Sequence, residues 1–186
     1  LTVLAHQVKG HNLITRANFT TRQALHYQES LNKELGEKPG HRWDSTTRRI
    51  ASASEDLLEY LLFSAEAPLS SPISGTSGFE AEFIQRGPKD KQGRSLYKLD
   101  LHTRLLKHPC SYLIYTDSFR HLPEAMLTRL GRRLGEVLAY QDQSETWQHL
   151  SAEDRKTIRE ILLATRTQLP EIFVEQIESI ELSNVD

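Results

Sequence analysis

One cysteine, one methionine and two tryptophans are all that 186 residues carry of those types. The single thiol, Cys110, cannot close an intrachain disulfide, and no cysteine-based zinc or iron–sulfur site can be assembled from it. No C-x-x-C-H stretch occurs, which excludes covalent c-type haem attachment within this chain. Apolar runs are short as well: "YLLF" and "YLIY" are core-length pieces, far below the about 18 residues of a membrane-spanning helix. There is no basic excess. Lys and Arg number 23 against 25 Asp and Glu, a net charge of −2, so the electrostatic footprint of a nucleic-acid binder is missing. The pairs Arg48–Arg49 and Arg132–Arg133 read as solvated helix faces. G-x-S-x-G, a Walker-type loop, G-x-G-x-x-G and the Glu-x-x-His of di-iron bundles are all absent, and "SPISGTSG" lacks the lysine and helix of a phosphate cradle.

What is present is helical periodicity. Residues 2–35 form one long helical pattern without proline, closed by "GEKPG" at 36–40. A second helix should start at Asp44 or Ser45 and run to Glu66, with Ile50, Leu57, Leu58, Leu61 and Leu62 on one side. These two pair as an antiparallel hairpin. Residues 68–98 change character: two short strands around "GPKDKQG" fit the pattern, and so does an ordered excursion over the helices. Asp100 is placed to cap a third helix through "LHTRLLKHPCSYLIYTDSF", kinked or split at Pro109. A fourth opens at Leu122-Pro123-Glu124, with Met126, Leu127, Leu130, Leu134, Val137 and Leu138 as its apolar stripe. A fifth follows Ser151, whose cap is supported by Asp154 three residues on. "EIFVEQIESIEL" is a last helix or a strand-like tail. The expectation is a mainly α fold of about five helices, with a long N-terminal hairpin and one long loop at 68–98, in a single domain spanning 1–186. Because the chain opens on Leu1 directly into a helix, it reads as a processed part or fragment of a longer protein.

The first helix carries the candidate chemistry. "AHQVKGHN" holds His6 and His11 with Gly10 between them. Five residues turn a helix through about 500°, so the two rings point about 140° apart and cannot chelate one metal. Val3, Gly10, Ala17, Ala24 and Leu31 align at a seven-residue spacing, flanked by Leu13, Leu35, Ile14 and Leu25, and His6 lies on this seam of small residues. A glycine inside a helix costs roughly 1 kcal/mol against alanine, for which close packing or a ligand is the natural compensation. Three readings of His6 stand side by side: a core histidine hydrogen-bonded to a neighbouring helix, a ligand beside Gly10 for a flat cofactor, and a contact to a partner or another part of the polypeptide. His11 instead joins Thr15, Asn18, Arg22 and Glu29 in a polar stripe. Cys110, beside Pro109 and near His108, reads as a small buried hydrophobe or as a thiolate nucleophile whose base would come from elsewhere.

Two stretches, "AHQVKGHNLITRANFTTRQALH" (5–26) and "GPKDKQGRSLYKLDLHTRLLKHPCSYLIYTDSFRHLP" (87–123), resemble the C-terminal part of long bacterial exported proteins associated with c-type cytochromes. By the matching residues, His6, His11, Asn12, Arg16, Arg22, Arg94, Asp100, Arg104, Pro109, Cys110 and Tyr112 would be signature positions. The resemblance implies an envelope-side or extracellular location and a redox context, and gives none of these residues a catalytic role. One structural idea joins them: the "GRSLYKLDL" loop, with Arg94 and Asp100, lying against the His11–Asn18–Arg22 face as a buried polar network. The resulting expectation is a non-catalytic scaffold or docking domain whose partner is another subunit or the rest of the same polypeptide. The alternative is a redox domain binding haem or a metal non-covalently through His6 and Gly10.

Overall fold

The computed structural model describes residues 1–75 and 77–181. Among them the chain is mainly helical: α1 (Thr2–Leu35), α2 (Asp44–Leu61), α3 (Phe79–Gln85), α4 (Asp117–Arg120), α5 (Glu124–Leu138), α6 (Ala152–Ala164) and α7 (Glu171–Ser179), with short 3-10 turns at Tyr112–Tyr115, Glu145–Trp147 and Arg166–Gln168. No β-strand is found among the described residues beyond one isolated antiparallel bridge, Leu99 to Leu106.

α1 and α2 form the antiparallel hairpin. Gly36, in the left-handed region at φ 69°, stops α1, and the side chain of Asn32 ties the connection by donating to the His41 carbonyl and accepting from Trp43 Nε1. The inward face of α1 is His6, Gly10, Ile14, Ala17, Thr21, Ala24, Gln28 and Asn32. The seam is therefore real but turns polar towards its C-terminal end. Leu35 is solvent-exposed, because α1 overruns the start of α2 and has nothing to pack on there.

α2 stops at Leu61, short of Glu66. Phe63 takes a left-handed backbone at φ 59°, and Ser64 N–H reaches back to the Glu59 carbonyl, a helix-ending arrangement usually served by glycine. α5 packs against α2 on one side and α7 on the other. Its approach to α7 is set by Gly131 and Gly135: a Cβ at Gly131 would run into the Phe173 carbonyl, and one at Gly135 would stand 3.3 Å from the Ile177 Cα. α6 begins with a complete capping box, Ser151 and Asp154 each bonding the other's backbone N–H. Ser151→Ala should lower stability by about 1 kcal/mol in urea unfolding; an unchanged midpoint would mean the box is not formed in solution.

Two expectations for the middle of the chain are corrected. "FEAEFIQ" is the helix α3 rather than a strand, with Phe79 stacked on Phe83 one turn away at 5.5 Å between ring centroids. "GPKDKQG" is a turn organised by Asp90, not the tip of a hairpin. The expected third helix is also missing over 100–111. Asp100 does cap, but it caps a tight turn: Oδ2 accepts from Thr103 N–H, Thr103 Oγ1 and Arg104 N–H. The chain then returns beside itself at Leu99 and Leu106. Helix is confined to the turn Tyr112–Tyr115 and to α4. Glu171–Ser179 settles the last element as a helix, and Leu182, within the final apolar stretch, lies outside the described residues.

Candidate functional site

His6 sits at the junction of α1, the C-terminal end of α2 and the loop before Tyr112. The residue is 7% exposed, and its ring stacks with two aromatic rings, Tyr60 and Phe63, each with its centroid 5.0 Å away and nearly parallel. The left-handed turn at Phe63 is what brings that ring over His6.

The hydrogen bonds fix the tautomer by elimination. The His6 carbonyl can only accept, so Tyr60 O–H donates to it at 2.8 Å. That uses the one Tyr60 proton. His6 Nδ1, 3.0 Å from the same oxygen, must then be the donor to it. Nε2 is left as the acceptor and takes the Ser111 hydroxyl proton at 2.7 Å. Ser111 Oγ in turn accepts from Leu113 N–H at 3.2 Å, and Ser111 N–H donates to the Leu61 carbonyl at 2.7 Å. Every step has one donor and one acceptor, and the chain joins three segments distant in sequence.

A closed set of this kind favours the neutral ring. Burial, helped by Lys9, pulls the His6 pKa down from 6.5 to about 4. The unfolded chain therefore binds more protons than the folded one between pH 6.5 and 4, so this contribution is fully present above pH 6.5 and is lost as pH falls. Between pH 7 and pH 5 the protein should lose about 2 kcal/mol of stability through this residue alone. Urea unfolding of wild type and His6→Gln at both pH values checks this: the variant should have a shallower dependence, and equal slopes would refute it.

Gly10, one turn further along α1, is covered. A Cβ there would collide with the Leu113 Cδ1 methyl and stand 3.1 Å from Tyr60 Cε1. A haem or a metal on His6 would need a free ring nitrogen and space beside Gly10. Both nitrogens are hydrogen-bonded, two aromatic rings stack with the imidazole and Leu113 fills the gap, so these residues do not fit such a group. Among the described residues there is also no group of three or more His, Cys, Asp or Glu side chains able to hold a metal ion.

Four of the five residues expected to form one polar network divide among three places, and His11 stands apart from all of them. Arg22 Nε donates to Asn18 Oδ1 at 2.6 Å, and Asn18 Nδ2 reaches the His121 carbonyl at 3.4 Å, so this face meets the end of α4. Arg94 instead pairs with Asp90 at 2.6 Å and with Glu160 of α6 at 2.7 Å. Asp100 stays in its own turn. Burial pushes its carboxyl up, but the hydrogen bonds from Thr103 and Arg104 outweigh this and hold it down to about 2. His11 is half-buried and joins none of the three among the described residues. The loop is thus pinned to α6, reinforced by Arg104 on Asp154 at 3.1 Å, and not to α1. The carboxylates that anchor it, Glu160 and Asp154, lie three helices after α3, which spacing alone does not reveal.

Cys110 is buried, and burial pushes its thiol up to about 12, so it carries almost no thiolate at neutral pH. The residues not anticipated were Tyr60, Phe63, Ser111 and Leu113. The "YLLF" stretch held two of them, but as an apolar run it signalled only core. Comparison with protein-family models, with curated proteins and with solved structures finds no match to this chain.

Proposed function

We propose that the chain is a non-catalytic helical scaffold or docking domain, joined to another subunit or to the rest of its own polypeptide. The observation that carries this reading is the contrast between the two sides of α1. The inner side is saturated: His6 and Gly10 are closed off by Tyr60, Phe63, Ser111 and Leu113. The outer side presents Leu4, Val8 and Phe19, at 58%, 55% and 65% exposure. These three lie within about 60° of one another around the helix, opposite the buried seam. Leu4 and Val8 adjoin there one turn apart, with Phe19 further along beyond Asn12 and Thr15, and large exposed apolar side chains suit contact with a protein surface better than contact with water. No helix among the described residues is long and apolar enough to cross a membrane. Export and a cytochrome-associated setting rest on the resemblance of residues 5–26 and 87–123.

Titration of the purified protein with hemin tests this reading against the cofactor-binding alternative. The expected result is the spectrum of free hemin with an unchanged melting temperature. A Soret band that His6→Ala abolishes would overturn the scaffold reading.

A further inference from the structure

A second feature lies away from His6 and owes nothing to the docking reading. Where the C-terminal half of α1 meets the first turns of α2 and α5, and α7 closes the side, there is a cleft of about 600 Å³. This falls within the range of small-molecule sites. Leu25, Ile50 and Ala125 supply an apolar floor, and Arg42, Arg129 and Arg132 stand around it.

Nearby carboxylates neutralise these guanidinium groups only in part. Arg42 has no ion pair among the described residues. Arg129 has only one long contact, from Nη2 to Glu55 Oε1 at 3.4 Å. Arg132 shares Glu136 with Arg133. Glu55 is likewise committed to Arg133, which meets both of its oxygens at 2.7 and 3.3 Å. The lining itself offers three cations against one carboxylate, Glu124. A forked guanidinium is suited to a carboxylate or phosphate.

We propose that this cleft binds an amphipathic anion: a carboxylate or phosphate monoester carrying an alkyl or aryl body, with the head group among Arg42, Arg129 and Arg132 and the body on Leu25, Ile50 and Ala125. Calorimetric titration with octyl phosphate tests it, with octanol and inorganic phosphate as the tail-only and head-only probes. Saturable one-to-one binding is expected for octyl phosphate, with both partial probes much weaker. The double variant Arg42→Gln/Arg132→Gln changes two exposed side chains and should keep its melting temperature while binding about tenfold more weakly. Phe79→Ser, in the separate groove at the start of α1, should bind as wild type. The proposal is overturned by an absence of saturable binding, by octanol or inorganic phosphate binding as tightly as octyl phosphate, by an unchanged affinity in the double variant, or by loss of binding in Phe79→Ser.

Discussion

Arg155→Met is expected to lower stability by about 3–4 kcal/mol, with a fall in melting temperature of roughly 10 °C. Arg155 is 3% exposed and has no carboxylate partner among the described residues. Its guanidinium instead holds together the segment that joins α5 to α6. Nε donates to the Leu150 carbonyl at 3.3 Å, Nη2 to that of Trp147 at 2.9 Å, and Nη1 to those of Val137 and of Asp142, the latter at 3.2 Å. The guanidinium also stacks over the Tyr140 ring, 4.3 Å from its centroid. Val137 lies in the last turn of α5, where carbonyls without helical partners collect partial negative charge, so the cation both satisfies and neutralises that end. Methionine keeps much of the volume and removes every donor: the Val137 and Trp147 carbonyls keep the N–H groups of Tyr140 and Leu150, but those of Leu150 and Asp142 lose the partner the guanidinium gives them. Arg155→Lys should recover only part of the loss, since an ammonium cannot reproduce the fork that spans four carbonyls. Urea and thermal unfolding measure both variants; a change of less than about 0.5 kcal/mol for Arg155→Met would show that water serves those carbonyls equally well.

Gly10→Leu comes next in size, at about 3 kcal/mol. The Leu113 side chain occupies the place of a Gly10 side chain. Leu113 is wholly buried in the 3-10 turn that follows Ser111, so it cannot swing away without moving that turn. Even Gly10→Ala should destabilise, although alanine would ordinarily strengthen a helix by roughly 1 kcal/mol. Its partner in a double-mutant cycle is Leu113→Ala. Because the new methyl would enter the space that Leu113 vacates, the double variant should lose less stability than the two single losses combined. Strict additivity would mean the two sites are not in contact.

Periodicity made much of this architecture legible. α1, α5 and the capped start of α6 stand where apolar spacing, Pro123 and the Ser151–Asp154 pair put them, because each signal is local and no distant contact competes with it. The failures have equally local causes. In "FEAEFIQ" the alternation of Phe79, Ala81 and Phe83 suits a strand, but Phe79 and Phe83 are also one helical turn apart, and tertiary packing of Phe83 decided between them. Asp100 was read correctly as a capping residue and attached to the wrong element: Leu101 adopts a left-handed backbone at φ 61°, which ends any helix before it starts. At the candidate site, geometry on a single helix separated His6 from His11 and put Gly10 on a packing seam. It could not name the groups that close the seam, since Tyr60, Ser111 and Leu113 are brought there by the hairpin and by the return of the loop.

The central claim is that His6 is a sealed structural histidine, locked as the Nδ1–H tautomer between Tyr60 and Ser111. Nitrogen-detected NMR of the imidazole across a pH titration tests it directly. The ring should be neutral and protonated on Nδ1 at pH 7, with titration delayed until about pH 4. An Nε2–H tautomer, or titration near pH 6.5, would contradict it.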